Sequence, residues 1–349
     1  MGPLRHQRQL DYLILHYSGK APSRLDAPVR IALRLGIYQL RYLRRIPPHA
    51  AVSQSVEIVK RARKASAAGL VNAVLRKVDA SEIAWPDRAT EFSLPDWLWD
   101  RWLARFGEDA AARIGLVFLS QPEGYIRVPP GREGEAAALG AEPTDIPGCF
   151  LIGEGGPGPF RHQDIGSQSI VPLLDLQPGD HFLDLCAAPG GKTAHALETT
   201  VHAIACDRHW SRLRQMKEVL GDLVVLDGTS NLPFATDFQR ILVDAPCSGT
   251  GTLGRNPEIR WRVQESDLRD LQSRQVELCI RAAERLAPGG RMVYSTCSLE
   301  NEENEEVIKQ VLQRVPQLHC VRDLTRIPGR EPGDGFFAAV LTSEKPASH

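Results

Sequence analysis

A doubly wound α/β domain preceded by an all-α bundle is the architecture this 349-residue sequence predicts. Apolar residues recur at helical spacing as far as Val78, whereas after Asp164 short β-branched runs alternate with helical ones, the signature of a parallel sheet with crossovers. A Gly- and Pro-rich passage separates the two regimes. With 42% apolar residues the chain is long enough for two or three compact units.

In the first region Ile31, Leu35, Tyr38 and Tyr42 recur at spacings of four, three and four, and Pro47-Pro48 is expected to close their helix. A second helix is expected from Ser53 through Val56, Val59 and the basic run Lys60 to Lys64, and a third over Leu70, Val71, Val74 and Leu75. Residues 1–80 hold 15 Lys or Arg against 4 Asp or Glu, about +11, while the whole chain carries only -1. Such an imbalance suggests a polyanion partner at this end; a solvated basic helix face is the plain alternative.

Residues 83–160 read as a connecting subdomain with a helical stretch from Trp97 to Leu119 and a strand from Tyr125 to Val128. The expected division is therefore 1–82, 83–160 and 161–349. In the last part strands are expected at His181 to Leu185, His202 to Cys206, Leu223 to Leu226, Arg240 to Val243 and Arg291 to Ser295. Helices are expected at Lys192 to Glu198, Ser211 to Leu220, Asp267 to Leu286 and Glu302 to Val315. In such a sheet ligands bind beyond the carboxyl ends of the strands.

No run of about 18 apolar residues is present for a membrane span, and Met1 to Lys20 lacks the regions of a signal peptide, so a cytoplasmic location is expected. Seven cysteines without a CxxC pair argue against a disulfide framework and against a structural zinc site; no metal is expected. Cys149, Cys206, Cys279 and Cys320 read as small buried hydrophobes.

The first strand of the sheet runs into Cys186-Ala187-Ala188-Pro189-Gly190-Gly191-Lys192-Thr193, a small-residue turn opening directly into a helix, where backbone NH groups are free for a ligand. It ends like a phosphate-binding P-loop, but that template requires glycine where Cys186 stands, and no Gly-x-Gly-x-x-Gly fingerprint is present. Asp207 at the second strand's end is placed to accept from two ribose hydroxyls, and Asp227 after the third lies where an adenine ring would be. Either aspartate serves equally as a cap or a turn residue. Asp244-Ala245-Pro246-Cys247-Ser248-Gly249 follows the fourth strand and Ser295-Thr296-Cys297-Ser298 the fifth, which puts two cysteines in polar loops on the functional edge of the sheet.

These three motifs resemble, in order and spacing, those of the RsmB/NSUN family of RNA 5-methylcytosine methyltransferases. The resemblance spans Asp164 to about Leu341 and includes Gly333-Asp334-Gly335-Phe336-Phe337. Leu35-Gly36-Ile37-Tyr38-Gln39-Leu40, Ile46-Pro47-Pro48-His49-Ala50-Ala51-Val52 and Val71-Asn72-Ala73-Val74-Leu75-Arg76 are similar to the NusB-like RNA-binding domain of the family's small-subunit (16S) ribosomal RNA enzymes. That domain usually carries further helices ahead of where this chain begins, and Arg127-Val128-Pro129-Pro130 stands where the family commonly has Arg-Val-Asn.

The resemblance implies a Rossmann-like class I methyltransferase domain behind a NusB-like domain. It further implies S-adenosylmethionine as cofactor, held by residues 186–192, Asp207, Asp227 and Asp244, and a single-stranded or loop ribosomal RNA as partner of a monomeric enzyme. Carbon 5 of cytosine is a weak nucleophile, and addition of a thiolate to carbon 6 makes it reactive. By similarity Cys297 is that nucleophile, Cys247 assists its release, Asp244 holds the ring edge at N3, and Lys192 orients the base or a loop carboxylate. The order of the two cysteines reverses in enzymes that use the Pro-Cys position, and Thr296-Cys297 tips the choice here. Arg255, Arg260, Trp261 and Arg262 offer charge and a stacking surface for a strand, or half-buried packing. The rivals are an RNA-binding protein with a retired catalytic domain and a methyltransferase of small molecules or proteins.

Overall fold

The computed structural model describes residues 1–199, 201–216 and 221–343. The end of the expected helix Ser211 to Leu220, at 217–220, and the last residues of the expected third domain, 344–349, lie outside the described residues. The chain forms two compact units, one of residues 1–121 with 253–262 and the other of residues 122–252 resuming at 263.

The first unit is helical: α1 Gln7–Ser18, α2 Ala27–Tyr42, α3 Pro48–Arg61, α4 Ala68–Leu75, α5 Asp96–Phe106 and α6 Glu108–Leu119. Leu10, Leu13, Ile14, Val29, Leu33, Ile37, Val59, Val71 and Leu75 build its core. Gly36 sits at the closest approach, where a Cβ would stand 2.6 Å from Leu75 and 2.8 Å from Ser55. The stripe read from the sequence is not the buried one: Ile31 is exposed, and α2 buries Val29, Ala32, Leu33, Gly36 and Ile37 instead. A stripe one residue over has the same period, and only the packing partners decide between them. Pro47-Pro48 follows α2 by a short turn and starts α3, five residues before the expected Ser53, with Pro48 at the first helical position that suits its missing NH. The expected stretch Trp97 to Leu119 is two helices, broken by Gly107 at φ +79°.

Segment 253–262 also belongs to this unit, although its sequence neighbours do not. Arg260 is 1% exposed and its guanidinium donates to the carbonyls of Arg5, Ser93, Phe118 and Leu253 at 3.0 to 3.3 Å. Trp261 Nε1 donates to the carbonyl of Leu4 at 2.8 Å. The RNA-facing reading of Arg260 is therefore overturned: it is buried, and its two terminal nitrogens satisfy four carbonyls inside the protein.

The second unit begins with a small antiparallel sheet of β1 Tyr125–Arg127, β2 Glu142–Pro143, β3 Cys149–Leu151 and β4 Arg161–His162, ordered β2-β3-β1-β4. There follow β5 His181–Asp184, α7 Gly191–Ala196, β6 His202–Asp207, β7 Asp222–Val225, β8 Phe238–Asp244, α8 Asp267–Ala283, β9 Leu286–Thr296, α9 Glu305–Arg314, β10 Leu318–Arg326 and β11 Phe336–Ser343. The seven strands from β5 onward are ordered β10-β11-β9-β8-β5-β6-β7. Strands β9, β8, β5, β6 and β7 pair in parallel, as the sequence pattern predicts, whereas β11 pairs antiparallel with β9 and with β10. Neither β10 nor β11 is an expected strand. β10 is a solvated edge and lacks alternation, and β11 is buried along its length. Cys320, expected inside, is exposed on β10.

The chain moves from β5 outward to β6 and β7, then returns to β8 and moves the other way to β9. The direction reverses between β5 and β8, so a crevice opens beyond their carboxyl ends. Asp184 and Asp244 are the last residues of these two strands.

Candidate active site

Each expected site residue of the second unit lies at or just past the carboxyl end of a strand. After β5 the turn 185–190 holds a cis Ala188-Pro189 peptide and Gly190 at φ +97°, a conformation natural to glycine, before α7 starts. Asp207 ends β6 and is 4% exposed. Its Oδ1 accepts from the His209 NH at 2.8 Å, and Oδ2 lies 3.3 Å from Arg212. Asp227 stands two residues past β7 rather than closing it, and its Oδ1 accepts from the Thr229 NH and hydroxyl at 3.1 and 2.7 Å. Those bonds hold the Asp227 carboxyl below the usual carboxylate range. Both aspartates thus make the turn the sequence allowed and still present carboxylates at neighbouring strand tips.

Asp244 and Ser295 are register partners on β8 and β9, and Ser295 Oγ donates to Asp244 Oδ1 at 2.8 Å. Lys192 Nζ reaches Asp244 Oδ2 at 2.6 Å from the first turn of α7 and lies 5.3 Å from the ring centre of Phe336. The lysine is buried rather than solvated. Burial works to lower its pKa, the Asp244 carboxylate outweighs burial, and the net shift is upward. A buried ammonium with a carboxylate at hydrogen-bond distance is an oriented charge pair, and the Asp244 side chain keeps 30% of its surface open to a ligand.

The two cysteines meet: Cys247 Sγ and Cys297 Sγ are 3.4 Å apart, although 50 residues separate them in the chain. The contact with Cys297, and then burial, push the Cys247 thiol well above the usual range, so it keeps its proton at neutral pH. Thr296 Oγ1 donates to Asn304 Oδ1 at 2.6 Å and Asn304 Nδ2 donates to the Ser298 carbonyl at 2.9 Å, which brackets Cys297 on both sides. Ser248, next to Cys247, donates its NH at 2.8 Å and its hydroxyl to Glu303. Beneath β5, Asp184 accepts from Thr193 Oγ1 at 2.7 Å, and burial pushes its carboxyl up to about 7.

Ser295 and Phe336 lie in quoted motifs without an assigned role, and Glu303 and Asn304, which hold the two cysteine loops, lie outside every motif that was quoted. Glu303 stands in an acidic run, Glu300 to Glu306, that reads as a solvated helix start, yet it is fully buried. Arg127, which opens the Arg-Val-Pro-Pro run, ends β1 and is held by Glu198, with Nε to Oε1 at 2.8 Å. Arg127, Arg132, Arg161 and His195 border a cavity of about 460 Å³ beside α7. Burial, then Arg127, hold His195 down to about 3. Among the described residues no group of three or more His, Cys, Asp or Glu is arranged for a metal ion, and no helix is long and apolar enough to cross a membrane.

Residues 171–342 match the family model of the 16S rRNA methyltransferase RsmB/F, and residues 1–80 match the NusB family. The ribosomal RNA small subunit methyltransferase B of Yersinia enterocolitica is 34% identical, covering 97% of this chain and 88% of that protein. The same-named protein of Salmonella paratyphi B has the same identity and coverage. Among solved structures PH0851 superposes with a TM-score of 0.82 at 25% identity, covering 98% of this chain and 88% of the other. NSun6 from Pyrococcus horikoshii, solved with SFG, superposes at 0.65 with 20% identity over 72% of this chain and 99% of its own. The Rossmann-like methyltransferase domain behind a NusB-like bundle, expected from the resemblance, is thus found.

Proposed function

The chain belongs to the RsmB/F family of 16S rRNA methyltransferases, and from that membership we propose that it methylates carbon 5 of a cytosine in 16S ribosomal RNA through a covalent bond between Cys297 and carbon 6. It is an S-adenosylmethionine-dependent methyltransferase, and the bound cofactor supplies an electrophilic sulfonium methyl. The residues present fit that group. Asp207 and Asp227 offer carboxylates to ribose and adenine at adjacent strand tips, and the small side chains of 187–191 leave the backbone of the turn approachable.

The observation that carries the cytosine reading is the pair of thiols 3.4 Å apart beside the Lys192–Asp244 pair. Cys297 sulfur adds to carbon 6, the ring's electron pair moves to carbon 5, and carbon 5 takes the methyl group. A solvent water then takes the proton on carbon 5, the carbon–hydrogen electron pair re-forms the ring double bond, and the carbon–sulfur bond breaks with its electrons returning to the Cys297 sulfur. Cys247, which holds its proton, is the donor beside the departing sulfur and assists this release. Asp244 holds the ring edge at N3, and Lys192 fixes the direction of the Asp244 carboxylate. The base reaches these groups unstacked, at a cost of about a few kcal/mol, so a loop or single strand is the easier target. The basic face of residues 1–82 attracts the RNA backbone; Lys60, Arg76, His49 and Asn72 border a groove of about 530 Å³ there.

The test is incubation with methyl-labelled cofactor and 16S ribosomal RNA. Label in 5-methylcytosine is expected, with none for Cys297→Ala, while Cys247→Ala accumulates a protein–RNA adduct that survives a denaturing gel. Label in protein or a small molecule, with none in RNA, overturns the substrate; an adduct with Cys297→Ala reverses the two cysteines.

A further inference from the structure

Glu303 lies between the two cysteine loops with no solvent exposure. Oε1 accepts from the Ser248 NH at 2.8 Å and from Gln275 Nε2 at 3.0 Å, and Oε2 accepts from the Ser248 hydroxyl and from the Ser298 hydroxyl at 2.5 Å. Burial pushes its carboxyl up, yet four converging donors suit an acceptor-only carboxylate. Gln275 Nε2 also donates to the Pro246 carbonyl at 3.0 Å. Glu303 therefore grips both neighbours of Cys247, Ser248 directly and Pro246 through Gln275, and touches the Cys297 loop only at Ser298. The Cys297 loop has its own clasp in Asn304. The asymmetry matters: loss of the carboxylate loosens the second cysteine more than the first.

We propose that Glu303 is a positioning residue for the release step, tying the loop of Cys247 to the loop of Cys297 so that the second thiol stays beside the first while RNA is attached. This rests on the assignment of the two cysteines made above. In Glu303→Ala a single turnover of methyl transfer stays within about threefold of the parent, because Asn304 still holds Cys297. Steady-state turnover falls about 10- to 100-fold, and the denaturation-resistant RNA adduct accumulates. Glu303→Gln recovers most of that turnover, since its amide oxygen accepts from Ser248 NH and Gln275 while its NH2 donates to two hydroxyls that accept as readily as they donate.

Rapid-quench kinetics and a denaturing gel with 16S ribosomal RNA read both quantities, and a thermal melt shows that the variants are folded. Normal turnover without adduct in Glu303→Ala overturns the proposal. So does an equal fall of both rates without adduct, which is what a purely structural role gives. Should Glu303→Ala fail to fold, Ser248→Ala removes one of the four bonds and is expected to raise the adduct to a smaller degree; no rise overturns the proposal. Cys297→Ala and Cys247→Ala run on the same gel separate the two levels. If Cys297→Ala forms the adduct, the cysteine assignment has failed; if both cysteine variants behave as assigned and Glu303→Ala does not, only the role of Glu303 has failed.

Discussion

Replacing Gly251 by alanine is expected to disable the site through backbone geometry alone. A Cβ at 251 would stand 2.5 Å from the Gly335 carbonyl oxygen, 2.8 Å from the Cys297 carbonyl oxygen and 2.9 Å from the Gly335 carbonyl carbon. Ordinary contact begins at 3.4 Å, so the nearest oxygen must give 0.9 Å, and every offending atom is main chain, with no side chain to swing aside. The same residue donates its NH to the Cys297 carbonyl at 2.9 Å and accepts from the Gly335 NH at 2.7 Å, so any retreat stretches both bonds. Overpacking of this kind costs about 1–3 kcal/mol. In a unit of this size that lowers Tm by about 2–4 °C per kcal/mol. The Cys297 carbonyl oxygen, in the segment that carries the proposed nucleophile, must give 0.6 Å to move from 2.8 to 3.4 Å, and since about 1 Å of misplacement costs roughly 100-fold in rate, this shift costs on the order of 10-fold. Gly251→Ala should therefore show a modestly lower Tm and a single-turnover rate of methyl transfer down on the order of 10-fold, with cofactor affinity unchanged. A full rate beside the lowered Tm would refute the argument that the Cys297 backbone position limits the reaction, and an unchanged Tm would refute the packing argument itself.

Two further outcomes follow from buried charges. Arg260→Lys keeps the charge, but one ammonium cannot span the four carbonyls at 3.0 to 3.3 Å, so urea unfolding of the first unit should show a loss of about 2–4 kcal/mol. A variant of unchanged stability whose RNA affinity falls would restore the RNA-contact reading. Asp184 has a folded pKa of about 7 against an ordinary 3.8, so its favourable contribution is complete below 3.8 and disappears as pH rises through 7. The difference is on the order of 4 kcal/mol. Asp184→Asn stays neutral and keeps an acceptor for Thr193, so its stability relative to the parent should rise between pH 4 and pH 8. A difference that does not change with pH refutes the raised pKa.

The motifs of the candidate site were legible because each is a contiguous run. Cys186 to Thr193, Asp244 to Gly249 and Ser295 to Ser298 each follow or end a short apolar strand, and a turn of that composition after a strand has few other structural meanings. Five parallel strands were legible for the same reason: buried parallel strands are short apolar runs. The buried stripe of α2 was not, since a helix with apolar residues on two adjacent stripes needs its neighbours to choose between them. Nor was β10, because an edge strand exposed on both faces carries neither an apolar run nor alternation, whereas β11 is a short apolar run that the same rule could have found.

Sequence alone determined that the motif residues of the candidate site sit at strand ends, because strand, turn and helix each depend on residues a few places apart. Tertiary structure alone decided that Cys247 and Cys297 touch across 50 residues, that Lys192 is buried against Asp244, that Glu300 and Glu303 of an acidic run are buried, and that the two terminal nitrogens of Arg260 bond carbonyls 142 to 255 residues away as well as that of Leu253. These are outcomes of desolvation. A charged or polar group left buried without a partner costs more than the fold gains elsewhere, and which partner lies within 3 Å is a property of the packed chain, invisible to any window of neighbouring residues.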